Sequence, residues 1–122
     1  MKIAIYCRVS TEKKAQKGIF IIDQKQRGIE FCNAHKYEYE VFEEYASGSK
    51  DENERPALFE LMQRTYQIKD SNGKILKKTE FDGIYITDFD RISRNPADLF
   101  RIKEHFLKNE IQIFDKGKKI IL

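Results

Sequence analysis

Apolar and polar positions along this chain keep two rhythms, a period near two and a period near 3.6, and the changes between them mark out its elements. Residues 2–7, KIAIYC, are apolar and β-branched enough for a strand, and the polar run 11–17 with Gly18 after it reads as a loop. From 21 to about 35 the spacing turns helical, with Ile22, Ile29 and Cys32 on one side, Lys25, Glu30 and Asn33 elsewhere, and Gly28 as its weak point. The stretch YEYEVFEEY, 37–45, alternates as a second strand, and SGSKDENE beyond it has the composition of a loop.

Pro56 suits a first helical position, and Leu58, Leu61, Met62, Thr65 and Tyr66 follow at helical spacing. KDSNGKILKKTE reads as a hairpin-like or disordered excursion around Asn72-Gly73, and FDGIYITDF as a buried strand after a turn. Asn95-Pro96 supplies a cap and first position for a third helix, on which Leu99, Ile102 and Phe106 share a face to about 108. IQIFD and KKIIL are two short strands around Lys116-Gly117. Strand and helix in strict alternation predict an α/β fold, a mostly parallel central sheet of four or five strands flanked by helices.

At 122 residues the chain fits one domain, 1–122, and its apolar last residues, Ile120-Ile121-Leu122, suggest the front piece of a longer protein. A hydrophobic fraction of 40% beside 35% charged residues describes a soluble globular domain, with no apolar run near the roughly 20 residues of a membrane span. The N-terminus enters a strand pattern without the marks of a signal peptide, so a cytoplasmic protein is expected. Cys7 and Cys32 have no metal spacing, Cys7 reads as a buried thiol within the first apolar run, and a disulfide is not expected. A net charge of +3 permits an anionic polymer as partner without requiring one.

Sites in open α/β sheets gather at the carboxyl ends of strands. Arg8 and Ser10 follow the first strand, and Asp88, Asp90, Arg91, Ser93 and Arg94 follow the third; the loop after the second carries Ser47, Ser49 and Arg55. Arginine at these places, in a chain richer in lysine, favours a planar fork that grips phosphate oxygens in pairs. A serine nucleophile needs a base or a strongly stabilising site. His35 and His105 stand at no strand end, so a Ser-His-Asp hydrolase is disfavoured and both read as surface histidines. Phosphoryl transfer asks less of a base and more of positive charge, which several arginines around one serine would supply.

Each residue alone has a plainer reading: Ser10 as a turn cap, Arg8 as a solvated strand end, Arg91 and Arg94 as surface partners of Asp90 and Asp98. Asp88 and Asp90, pointing the same way if on a strand, offer a rival, a two-carboxylate magnesium site in a metal-dependent nuclease. A catalytically silent interaction domain is the third reading.

Taken together, YCRVST, ASGS followed by ERPAL, and DFDRISRNPADL resemble the catalytic domain of the serine recombinases, the resolvase and invertase family, in the family's order and over most of the chain. The resemblance implies a resolvase-like fold in which Ser10 is the nucleophile, Arg8 a phosphate-binding partner, and Arg55, Asp90, Arg91 and Arg94 the remaining catalytic set, with Ser93 outside it. Tyr6 belongs to the first signature, Gln24 in IFIIDQKQRGIEFC matches a glutamine of the active-site surroundings, and Glu44 stands where aspartate is common. Asp88 occupies a place where lysine is frequent, and the 67–83 link is longer than usual.

The resemblance further implies DNA as substrate and a 5′-phosphoserine intermediate followed by strand exchange and religation. It implies no metal or other cofactor, and a location on the nucleoid when DNA is bound. Family members continue into a long helix and a separate DNA-binding region, act as dimers and form tetramers in the synapse. From these residues alone, weak and salt-sensitive DNA binding is expected.

Overall fold

The first strand, residues 2–9, is buried along nearly its whole length, as a parallel strand with neighbours on both sides must be. The computed structural model describes residues 1–9, 14–45 and 55–120, and of residues 14–20 and Asp90 the backbone alone. In chain order the elements are β1 (Lys2–Val9), α1 (Lys14–His35), β2 (Glu38–Tyr45), α2 (Pro56–Gln63), β3 (Ile68–Lys69), β4 (Ile75–Lys77), β5 (Gly83–Ile86), α3 (Pro96–Lys108), β6 (Gln112–Asp115) and β7 (Lys118–Ile120). A 3-10 turn over Phe89–Arg91 lies between β5 and α3.

The five-stranded sheet runs β2-β1-β5-β6-β7. Its first four strands are parallel, and β7 pairs antiparallel with β6 through a two-residue turn whose Lys116 and Gly117 both have positive φ, the geometry a tight hairpin demands. The predicted mostly parallel sheet is thus present, with α1 on one face and α2 and α3 on the other. That division follows from right-handed crossovers: the chain leaves β1 one way to reach β2 and returns the other way to β5 and β6.

Alternation along β1 separates two apolar clusters. Ile3, Ile5, Cys7 and Val9 pack with Ile21, Cys32, Tyr85 and Phe114 under α1. Ala4 and Tyr6 pack with Phe42, Leu58, Leu61, Ile86, Ile102 and Phe106 under α2 and α3. Cys7 and Cys32 are free buried thiols, Cys7 pushed up to about 12 by burial and by the charge of Glu43, and Cys32 to about 11 by burial.

Several expectations shift. Helix α1 begins at Lys14, so residues 14–17 are helical and not loop. It is turned relative to its apolar pattern: Ile21, Gln24, Gly28 and Cys32 face the sheet while Ile22 is exposed. Gly28 explains this, since a Cβ there would stand 2.5 Å from Ile5 Cγ2, and the missing side chain lets α1 approach β1 closely. Helix α2 stops at Gln63, leaving Thr65 buried beyond its end and Tyr66 exposed. Of the two forms expected for the excursion before β5, the hairpin is the one present, β3 with β4, turning through Gly73 at φ 82°. The SGSKDENE loop lies outside the described residues.

Candidate active site

The connections from β1 and from β2 run in opposite directions, so a crevice opens at the carboxyl ends of β1 and β5. Arg8 reaches it from within β1 and not from beyond the strand, on the same face as Ala4 and Tyr6. Only 2% of it is exposed, which overturns the solvated strand-end reading. Its Nε donates to the Arg91 carbonyl at 2.8 Å. The side-chain amide of Gln24, on α1, accepts from the Arg8 backbone N–H at 3.1 Å and donates to its carbonyl at 3.2 Å. Pairing with β5 ends at Ile5 opposite Tyr85, and beyond it Gln24 serves the strand's backbone as a neighbouring strand would.

Glu44 on β2 stands opposite Arg8 in register and is buried. Its carboxylate accepts from the N–H groups of Leu58 at 3.0 Å and Ala57 at 3.1 Å, and from the Tyr6 hydroxyl at 3.3 Å. Glu44 therefore caps α2 from another strand, satisfying donors that a helix N-terminus leaves open and placing negative charge at its positive end. Burial, and after it the Glu44 charge, raise the Tyr6 phenol well above its ordinary value, with Arg55 and Arg8 opposing.

The residue at the N-cap position of α2 is Arg55, which makes no side-chain cap and turns inward, 0% exposed. Its guanidinium donates to the Ile92 carbonyl and, at 2.8 Å, to Asp98 Oδ2. Arg8 and Arg55 thus hold consecutive carbonyls, those of Arg91 and Ile92, at the end of the 3-10 turn. Carbonyl dipoles and a carboxylate allow two guanidinium groups to stay buried.

Arg91 is half-buried and Arg94 exposed, so the cations grade from fully buried Arg8 and Arg55 to the surface. Burial, with the charges of Arg91, Arg94 and Arg55, lowers the Arg8 guanidinium from its ordinary value, and Tyr6 acts against them. Four predicted arginines are therefore brought together. Arg91 lies 4.0 Å from Asp88 Oδ2, and among the described residues Thr87 Oγ1, Asp88 Oδ1 and Arg91 Nε are buried with no hydrogen-bond partner. Strand β5 ends at Ile86 and Asp90 lies in the 3-10 turn, so the argument that a strand aims Asp88 and Asp90 alike does not hold. Ser10, next after the last residue of β1, and the side chain of Asp90 lie outside the described residues, as do Ser47 and Ser49.

Asp98 partners Arg55 and not Arg91 or Arg94 as the sequence suggests, a contact across 43 residues that no local spacing signals. Ser93 is buried, and its hydroxyl accepts from the Asn95 N–H at 3.1 Å. His105 is a second correction, for it is buried and not on the surface. It lies at the amino ends of the strands, with Nε2 2.8 Å from Thr65 Oγ1 and Nδ1 3.3 Å from Asn109 Nδ2. The Thr65 hydroxyl donates to the Leu61 carbonyl at 2.9 Å, so Nε2–H is the donor to Thr65 and Nδ1 accepts. A cavity of about 710 Å3 lies beside this cluster, lined by Tyr66, Arg101, Glu104 and Lys108 among others, and none of the four clustered arginines lines it.

The sequence profile of the resolvase N-terminal domain matches residues 3–119. The chain belongs to the resolvase N-terminal domain family. Its likeness to the Tn2501 resolvase of Escherichia coli is 27% identity over 112 residues, 92% of this chain but 48% of that protein, so it spans about half the length of this curated relative. The N-terminal catalytic domain of TP901-1 integrase is 28% identical with a TM-score of 0.70, covering 95% of this chain and 77% of that one. A resolvase family site-specific recombinase from Streptococcus pneumoniae shares the fold at 18% identity, TM-score 0.71, with 98% of this chain and 75% of that one covered. The resolvase fold is therefore the scaffold on which the arginines stand. No helix among the described residues is long and apolar enough to cross a membrane.

Proposed function

We propose that this chain is the catalytic domain of a site-specific serine recombinase, cutting and rejoining DNA through a covalent protein–DNA link. The observation that carries the reading is the pair of buried arginines, Arg8 and Arg55, at the carboxyl end of a parallel sheet with Arg91 and Arg94 above them. Four cations around one point suit a phosphodiester whose oxygens gain charge in the transition state. Ser10, two residues after Arg8, is the nucleophile.

In the step we assign to it, Ser10 Oγ bonds to phosphorus and the bond from phosphorus to the 3′-oxygen breaks. The proton lost by the serine is matched by one gained at the 3′-oxygen, leaving a 5′-phosphoserine and a free 3′-hydroxyl. Reversal by another 3′-hydroxyl reseals the strand without ATP. Arg8, Arg55, Arg91 and Arg94 neutralise the phosphate, and Asp90 orients an arginine or assists proton transfer. Tyr6, Gln24 and Glu44 hold the arginines' supports in place. The full-length protein works as a dimer on DNA and as a tetramer in the synapse.

The test uses full-length protein and duplexes carrying the sequence it selects from a random pool. Denaturation during reaction is expected to trap protein on the DNA 5′ end with wild type and with Ser93→Ala, and to trap none with Ser10→Ala. An adduct that survives Ser10→Ala, or cleavage without any adduct that stops on adding a chelator, would sink the reading.

A further inference from the structure

Behind Arg55 lies a carboxylate that this chemistry does not use. Asp98, in the first turn of α3, receives Arg55 at Oδ2 (2.8 Å) and Arg101 at Oδ1 (2.7 Å). The Arg101 pair is an exposed contact one helical turn away, of a kind helices carry anywhere. The Arg55 pair is different: it spans 43 residues, and its guanidinium is fully buried. We propose that Asp98 is a positioning residue that fixes the plane of the Arg55 guanidinium in the crevice, and the inference rests on the recombinase reading above.

A guanidinium is a rigid planar fork, so two fixed acceptors at its two terminal nitrogens define its plane, whereas one acceptor leaves it free to pivot. Among the described residues, the Ile92 carbonyl and Asp98 Oδ2 hold the two terminal nitrogens of Arg55. Asp98 is itself held. Its backbone N–H donates to Asn95 Oδ1 at 3.2 Å, and its oxygens are shared between two arginines. Burial works to raise its carboxyl, but hydrogen bonds from Arg101 and Ser93 and the charge of Arg55 override it, leaving the group below the ordinary aspartate range and ionised at neutral pH. A buried arginine that meets substrate only at the moment of reaction needs a counter-charge beforehand. The carboxylate at the start of α3 supplies one.

Chemistry that depends on placed charge is sensitive to small misplacement, so the effect belongs in the reaction step and not in DNA binding. In full-length protein on the selected duplex, Asp98→Ala is expected to slow adduct formation at saturating DNA roughly 10- to 100-fold with DNA affinity near wild type, and Asp98→Asn, whose amide oxygen can still accept, to slow it less. In an Arg55→Ala background Asp98→Ala is expected to cost nothing further. Losses that multiply, or an Asp98→Ala rate equal to wild type, would overturn the inference.

Nitrogen-15 NMR of the Arg55 guanidinium gives a readout independent of activity: rotation restricted in wild type and freer in Asp98→Ala. Should the variant fail to fold, freely rotating Arg55 in wild type would still overturn the proposal, and restricted rotation would support it. A wild type that forms no adduct defeats the recombinase reading alone, while the NMR result continues to decide Asp98.

Discussion

Two buried polar clusters sit in the same layer of this protein, at opposite ends of the sheet, and they are built on opposite terms. At the amino ends, Thr65, His105 and Asn109 form a neutral chain in which each proton has an assigned acceptor, and Gln67 N–H closes it on Asn109 Oδ1 at 2.8 Å. At the carboxyl ends, Arg8, Arg55, Arg91 and Arg94 crowd together, with Asp88 Oδ1, Thr87 Oγ1 and Arg91 Nε buried and unsatisfied. A satisfied neutral network needs nothing further and serves the fold. Guanidinium groups close enough to lower that of Arg8, beside orphaned polar atoms, are costly in a folded protein and fit the phosphate-binding role proposed above.

That contrast can be broken most sharply by removing a buried cation. Arg8→Ala or Arg55→Ala is expected to cost about 3 to 4 kcal/mol of transition-state stabilisation, some hundredfold or more in the rate of adduct formation. His105→Gln, in the other cluster, should leave that rate, corrected for folded protein, close to wild type. Rapid-quench assays on the selected duplex compare the two. If they fall equally, the division between a functional and a structural cluster collapses.

Glu44 sharpens the comparison on the side of stability, because it serves both the helix cap and the Tyr6 hydroxyl. Glu44→Ala leaves two backbone N–H groups and a buried phenol without their acceptor, and is expected to destabilise the domain by about 3 kcal/mol in denaturant titration, with Glu44→Gln milder.

The smallest effect belongs to pH. Burial, with Arg101 and Lys108, holds His105 below its ordinary value, so the unfolded chain binds the proton more readily than the folded one. Stability from this group is full above the unfolded value near 6.5 and falls as pH drops below it, by at most about 1.4 kcal/mol per pH unit. In His105→Gln that part of the pH dependence of the melting temperature should vanish. A slope that persists unchanged would assign it to other groups.

Much of this was legible in the residues. The caps and turns at Asn95-Pro96, Asn72-Gly73 and Lys116-Gly117 fall as expected, since local backbone chemistry decides them: Asn95 Oδ1 accepts from Ala97 N–H at 2.9 Å, and Gly73 and Gly117 take positive φ. The sheet and the gathering of arginines were legible too, from strand periodicity and from motif order.

What escaped depends on partners distant in sequence. Ile22 belongs to the pattern of an apolar face, but Gly28 against Ile5 turns α1 so that Ile22 faces water. Glu44 meets Ala57 and Leu58 across 13 and 14 residues, and Asp98 meets Arg55 across 43, separations no local spacing reports. His105 appears to a linear reading as the polar edge of a helix, because Thr65 arrives from 40 residues away.

The grip of Arg8 and Arg55 on neighbouring carbonyls also orders events in time. Arg8 finds its acceptor at Arg91, 83 residues later, and Arg55 finds Ile92 and Asp98, 37 and 43 residues later. A ribosome adding about 5–20 residues each second takes several seconds to deliver them, and until then both arginines remain in water. A chain that ends before Asp98 has every codon of the first signature translated but lacks one acceptor of the Arg55 guanidinium, so this buried group is among the last of the fold to be satisfied.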